Sequence, residues 1–153
     1  MTTTPIPVSL DLRDPDVYPY WTEDLIRFAD LDRLNHVNNV AFATYAESGR
    51  VAFAEASWPG STDGSGVGWV IVRLTVNFLA AAYYPNSVRI GTRVLSLGRT
   101  SVVLGQGMFT KDRCFGTTES VMVWADTKSE KSLPLSEDLR RALERYMTDK
   151  LPD

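Results

Sequence analysis

Apolar and polar positions change period along this chain, and the changes lay out its elements. From Val40 to Trp58 the residues Phe42, Tyr45, Ala46, Gly49, Phe53 and Ala56 recur at intervals of three and four, which puts them in one stripe of a helix. Glu47, Arg50 and Glu55 fall off that stripe. Pro59-Gly60 ends the helix, and Gly60 to Gly68 reads as a loop. Beyond it the period drops to two. Val70, Val72, Leu74, Val76 and Phe78 alternate with Ile71, Arg73, Thr75, Asn77 and Leu79, the pattern of a strand with one buried face. Pro85-Asn86 marks a turn, and Val88, Ile90 and Val94 share a face of the next strand. Gly98-Arg99 separates that strand from Val102-Val103-Leu104. A further run after Gly116 sets Val121, Val123 and Ala125 opposite Met122 and Trp124. Turn signals this closely spaced imply an antiparallel meander. After Pro134, Ser136 can cap a last helix in which Leu139, Ala142, Leu143 and Tyr146 share a face.

Ahead of the long helix, Thr22 to Phe28 is strand-like and Ala29 to Asn39 is a polar loop. Residues 1 to 20 hold four of the eight prolines and read as an extended arm, packed on the domain through Val17, Tyr18, Tyr20 and Trp21. The order is strand, long helix, about four strands and a terminal helix. A long amphipathic helix needs a concave apolar surface, which a strongly twisted antiparallel sheet supplies. The expected class is therefore α+β, a central helix wrapped by a curved sheet of about five strands, forming a single domain over residues 21–148.

Composition narrows the function classes. A chain of 153 residues is the size of one domain. One cysteine, Cys114, excludes an internal disulfide framework, and one Cys with one His excludes a Cys/His zinc site, so no metal is expected. A net charge of -3 argues against a nucleic-acid partner. No run of apolar residues approaches the length of a membrane span. Met1 to Leu10 lacks the basic start and apolar run of an export signal, so a cytoplasmic location is expected.

The densest polar stretch is Asp30-Leu31-Asp32-Arg33-Leu34-Asn35-His36-Val37-Asn38-Asn39, directly before the helix. In ten residues it holds two carboxylates, the only histidine and three asparagines. One reading is a polar loop ending in an Asn N-cap. The other is chemical: a carboxylate beside a helix N-terminus, whose unpaired N–H groups can polarise a carbonyl. Acyl transfer needs a base or nucleophile and an oxyanion site within a few ångströms of each other. The glycines at 64, 66 and 68 lack the Lys-Ser/Thr of a phosphate loop. Cys114 reads as an inert packed thiol, and Glu47 reads as an i,i+3 partner of Arg50.

The segment Arg27-Phe28-Ala29-Asp30 through Asn39, followed by Tyr45, Glu47 and Arg50, resembles the hotdog-fold acyl-CoA thioesterases of the 4-hydroxybenzoyl-CoA thioesterase family. Val76-Asn77-Phe78, Val88 to Val94 and Leu97-Gly98-Arg99-Thr100-Ser101 are also similar to that family, so the resemblance runs from about residue 22 to 143. It implies a hotdog fold and hydrolysis of an acyl-CoA to free acid and CoA, with no cofactor beyond the CoA of the substrate. It also implies a homodimer or a tetramer built as a dimer of dimers. By the same resemblance Asp32 is the catalytic carboxylate, as nucleophile or as base on water, and His36 orients or polarises the substrate. The Asn39 backbone N–H polarises the thioester carbonyl. Asn38, Asn35, Arg99 and Ser101 are the implied substrate-binding residues. Asn35 stands where the family usually has Gly, and Asn is the residue best suited to replace Gly at positive φ. Two other readings stay open: a thioesterase acting on acyl-carrier protein, and a non-catalytic hotdog that binds acyl-CoA.

Overall fold

The computed structural model describes residues 10–148. Five long strands and a short sixth form one antiparallel sheet: β1 (Tyr20–Ile26), β2 (Val67–Phe78), β3 (Asn86–Leu97), β4 (Ser101–Thr110), β5 (Arg113–Asp126) and β6 (Lys131–Ser132). The long strands lie in the order β1-β3-β4-β5-β2, and β6 pairs with β5. Between β1 and β2 runs α1 (Asn39–Ser57), and α2 (Glu137–Glu144) closes the chain, extended by a 3-10 turn over Arg145–Met147. No helix among the described residues is long and apolar enough to cross a membrane.

The helix forms where the three-four period predicts it, and the sheet curls around it. Phe42, Tyr45, Ala46, Gly49 and Phe53 are all buried. The stripe then drifts: Ala54 and Ser57 are buried, and Ala56 is exposed. This follows the line 49, 53, 57 at intervals of four rather than the expected step of three. Around the N-terminal half of α1, Phe42 and Tyr45 pack with Ile90, Met108 and Phe115. Around the C-terminal half, Phe53 packs with Val94, Leu104, Leu139, Leu143 and Tyr146. The Ser136 hydroxyl accepts from the Leu139 N–H at 3.1 Å, which fixes the start of α2 as its sequence anticipates.

Adjacent residues of a strand face opposite ways, and Phe109 accordingly leaves the helix side that Met108 occupies. It packs on the outer face of the sheet with Val17 and Tyr18. The part of the N-terminal segment that is described is therefore not simply extended. Asp14 caps a 3-10 turn over Pro15–Val17, and Tyr20 and Trp21 belong to β1. Residues 1–9 of the expected arm lie outside the described residues.

Close approach of helix to sheet depends on Gly49. A Cβ built there would stand 2.6 Å from Gln106 Nε2 and 2.6 Å from Ile90 Cγ2. Gln106 has little room to move. Its Nε2 donates to the Ala46 carbonyl and to Thr92 Oγ1, and its Oε1 accepts from Thr118 Oγ1, each at 3.2 Å. Gly49→Ala is expected to destabilise by about 1–3 kcal/mol through overpacking, read as a lower denaturant midpoint at unchanged slope.

β2 departs from expectation. Its alternation predicts one buried face, yet most of its residues are exposed, with only Leu74, Val76 and the start of the strand partly covered. It is an edge strand, and a bulge between Ile71 and Arg73 reverses which residues face the helix.

Candidate active site

The polar loop before α1 is closed at its base and strained at one point. Leu31 and Val37 form an isolated antiparallel bridge. The Asn38 N–H donates to the Asp30 carbonyl at 2.8 Å, and the Val37 N–H donates to the Ala82 carbonyl at 2.9 Å. Within the ring the Asp32 N–H donates to the His36 carbonyl, and the Asn35 N–H to the Asp32 carbonyl, each at 3.1 Å. Asn35 turns the chain at φ 61°, the left-handed conformation that Asn tolerates where Gly is absent.

The two carboxylates of this segment have different environments. Asp30 is buried and fully engaged. Its carboxylate accepts from Tyr45 Oη at 2.7 Å, from the Arg27 backbone N–H at 2.9 Å and from the Arg27 guanidinium at 2.9 Å. Burial pushes the Asp30 carboxyl up, but these donors together outweigh it and hold its pKa below the ordinary value. Burial first, then the bond to Asp30, pushes the Tyr45 hydroxyl up. Asp30 thus ties the end of β1 to the second turn of α1.

Asp32 is half-buried and keeps one oxygen available. Its Oδ1 accepts from the Leu34 N–H at 2.8 Å, while Oδ2 lies 3.9 Å from His36 Nδ1. The His36 ring stands edge-on to Tyr83, with centroids 6.5 Å apart.

The helix N-terminus completes the arrangement. Asn38 is the N-cap, and its Oδ1 accepts from the Val40 N–H at 3.1 Å. The Ala41 N–H bonds back to the Asn38 carbonyl. That leaves the Asn39 N–H without a partner among the described residues. Asp32, His36 and Asn39 line one cleft of about 440 Å³, whose apolar wall is Phe42, Phe78 and Leu79. A carboxylate, an imidazole and a free helix amide therefore meet an apolar slot. Such a site can hold an acyl group, polarise its carbonyl and attack it.

The other implied binding residues fall elsewhere. Asn35 shares the loop but points into solvent, and the Asn38 oxygen is committed to its cap. Arg99 and Ser101 sit at the turn from β3 to β4, where the Arg99 carbonyl accepts from the Leu135 N–H. They are a full strand away from Asn86, the end of β3 that pairs with Ile26 beside the loop, so the chain does not itself bring them to this cleft. Glu47 and Arg50 close no ion pair; Glu47 is exposed and Arg50 is buried. Cys114 is a partly buried thiol that donates to the Gly116 carbonyl at 3.3 Å, and burial pushes its pKa up. Sequence reasoning missed the apolar wall. Its signal was the end of the β2 alternation at Phe78-Leu79, followed by small residues through Ala82.

Residues 26–143 match the model of the family described as the Thioesterase-like superfamily. The chain belongs to that superfamily. Thioester hydrolysis is the class of chemistry this membership supports. No curated protein matches the sequence significantly. Among solved structures, a thioesterase from Thermus thermophilus, complexed with coenzyme A and zinc, is 26% identical with a TM-score of 0.76. That match covers 86% of this chain and 96% of the other. A protein from Pseudomonas aeruginosa superposes at a TM-score of 0.80 with 21% identity, covering 89% of this chain and 96% of that one. The DHNA-CoA thioesterase of Staphylococcus aureus gives a TM-score of 0.75 at 22% identity, covering 84% and 89%. These last two likenesses are of fold. The superfamily member described here has the hotdog fold, with the long helix held in a curled antiparallel sheet.

Proposed function

We propose that this superfamily member hydrolyses an acyl-CoA to the free carboxylic acid and coenzyme A. The observation that carries the proposal is the cleft shared by the Asp32 carboxylate and the free Asn39 N–H. The thioester carbonyl oxygen accepts from the Asn39 N–H, where the helix dipole favours developing negative charge. Asp32 drives attack on the carbonyl carbon, directly or by taking a proton from water. The C–S bond breaks, the thiol leaves as coenzyme A, and water supplies the oxygen and hydrogen of the products. His36, on the same wall, orients the thioester. The site works with side chains and amides, and coenzyme A enters as part of the substrate. Acyl-CoA esters are made inside the cell, so a cytoplasmic location goes with this reading. Coenzyme A in the 26%-identical Thermus thermophilus structure supports the choice of carrier. Thiol release from a panel of short, long and aromatic acyl-CoAs tests the proposal. Turnover of at least one supports it, and none from any of them overturns it.

The proposal includes a homodimer formed through β2. This strand offers a twelve-residue free edge, with Val70 40%, Ile71 42% and Val72 60% exposed. A long apolar edge of this kind is a template for pairing with another chain. The alternation that predicts a buried face on β2 is then satisfied by a second copy. Sedimentation velocity is expected to show a dimer. Val72→Asp is expected to weaken it at least about tenfold, roughly 1.4 kcal/mol. A wild-type monomer at micromolar concentration would refute the arrangement.

A further inference from the structure

The apolar wall of the Asp32 cleft has a fixed inner end. Phe42 lines the cleft yet is only 4% exposed, because the rest of its ring belongs to the core beside Tyr45, Met108 and Phe115. Two rings brace it edge-on, Phe78 with centroids 4.9 Å apart and Phe115 at 5.2 Å. Gly116 of β5 sets how deep it lies. This glycine pairs with Phe78 on β2 and with Met108 on β4. A Cβ built on it would stand 2.8 Å from Phe42 Cδ1, 2.9 Å from Phe42 Cε1 and 3.0 Å from Met108 Cε. Gly116 does not have positive φ, so what calls for glycine there is space. A larger residue would have to displace the ring. Phe115 and Met108 stand on the core side, which leaves the cleft as the side toward which the ring gives way.

Phe42 follows Asn39 by three residues on α1, and residues so spaced are neighbours on one helix face. An aromatic side chain in a helix also leans back toward the N-terminus. A thioester carbonyl held by the Asn39 N–H therefore has the Phe42 ring one turn further on. Among the described residues, the hollow beside Val40 and Ala43 shares no lining residue with this cleft, so the cleft does not continue into it. Beyond the ring lie Tyr45, Met108 and Phe115, all fully buried. A chain forced past Phe42 would have to part a close-packed core.

We propose that Phe42 limits the length of the acyl group, that Gly116 positions it, and that the substrates are coenzyme A thioesters of short-chain acids. This rests on the acyl-CoA reading above. Phe42 meets the acyl chain, and Gly116 acts only through Phe42. The limit can be moved both ways. Removing ring atoms at position 42 deepens the cleft toward Met108, an unbranched side chain able to change rotamer. Adding a methyl group at position 116 pushes the ring outward and makes the cleft shallower. A merely structural role would lower the turnover of all chain lengths together. A length limit instead changes the ratio between them, and in opposite directions in the two variants.

The test compares kcat/KM for butanoyl-CoA, hexanoyl-CoA and decanoyl-CoA in the wild type, Phe42→Leu and Gly116→Ala. The wild type is expected to prefer hexanoyl-CoA over decanoyl-CoA by at least about tenfold, the scale on which an apolar pocket discriminates by methylene groups. Phe42→Leu is expected to bring that ratio to within about threefold of unity. Gly116→Ala is expected to lower hexanoyl-CoA relative to butanoyl-CoA by about tenfold. Equal use of hexanoyl-CoA and decanoyl-CoA by the wild type overturns the proposal. So does an unchanged ratio in either variant, or a parallel loss on all three esters, which would make Phe42 and Gly116 core residues only. Phe42→Leu decides alone if Gly116→Ala does not fold. If no acyl-CoA is turned over, the hydrolase reading fails separately. Calorimetric titration with S-hexyl-CoA and S-decyl-CoA, thioethers that resist hydrolysis, then decides the length limit. Tighter binding of the hexyl compound by the wild type, levelled in Phe42→Leu, sustains it, and equal binding or none overturns it.

Discussion

Asp32→Asn is expected to lower kcat on the best acyl-CoA by about 10²–10⁴-fold and to leave the thermal midpoint in place. The amide is the informative replacement. On the proposed function Asp32 has two duties, and Asn performs one of them: its side-chain oxygen can still accept from the Leu34 N–H, as Asp32 Oδ1 does at 2.8 Å, so the loop keeps its turn. It brings neither the negative charge nor the basicity that attack on a thioester requires. Asp32→Ala removes both duties, and its loss of activity mixes chemistry with loop collapse. A single turnover in ¹⁸O-water can reveal one of the two forms of attack: label in the Asp32 carboxyl marks an anhydride opened at the Asp32 carbonyl, whereas label in the released acid alone arises from water attacking the acyl carbon of either the thioester or the anhydride. Activity surviving in Asp32→Asn at near the wild-type level would move the chemistry off this residue.

The largest expected loss of stability comes from Asp30, two residues away. Asp30→Ala leaves the Tyr45 hydroxyl, fully buried, without its acceptor, and the Arg27 N–H without its own. A buried donor stranded in this way costs about 1–3 kcal/mol, and the loss should appear as a lower urea midpoint. The same carboxyl makes stability depend on pH. Because its pKa is held below the ordinary value, folded Asp30 gives up its charge less readily than unfolded Asp30. Its contribution is therefore present above the ordinary aspartate range and is lost as pH falls through the lower folded value. In Asp30→Asn this part of the acid sensitivity should vanish, leaving a flatter stability profile below the ordinary range. A profile that stays as steep would show that Asp30 is not the group responsible.

The sequence made these neighbouring aspartates look alike, and the fold separates them. Spacing alone puts both in one polar loop, and only the resemblance to a known family favoured Asp32. The difference is tertiary: Tyr45 comes from the second turn of the helix and Arg27 from the end of β1, and both reach Asp30. The helix itself was legible because Phe42, Tyr45, Ala46, Gly49 and Phe53 carry a period that survives any context. The capping by Ser136 was legible for the same local reason. What was not legible depended on neighbours. β2 alternates as a buried strand does, but a periodicity records which side is apolar and not what covers it. Arg50 sits where a polar residue off the stripe is expected in solvent, yet β2 and the loop after α1 close over it. Arg99 and Ser101 resemble a family segment, but the length of β3 holds them apart from the loop that the same resemblance selected.

The loop around Asp32 is fastened at its base, by the Leu31–Val37 bridge and the bond from Asn38 to Asp30, and its tip at Arg33, Leu34 and Asn35 is exposed. Substitutions at Arg33 and Leu34 leave the fastenings intact and draw nothing from the core, whereas Asn35 is held to its type by its left-handed backbone. Descendants of this chain can therefore vary at Arg33 and Leu34 while the frame that melts at a given temperature stays the same. On the proposed function, selection on chemistry and selection on folding act on separate residues here, and the boundary between them falls between Asp30 and Asp32.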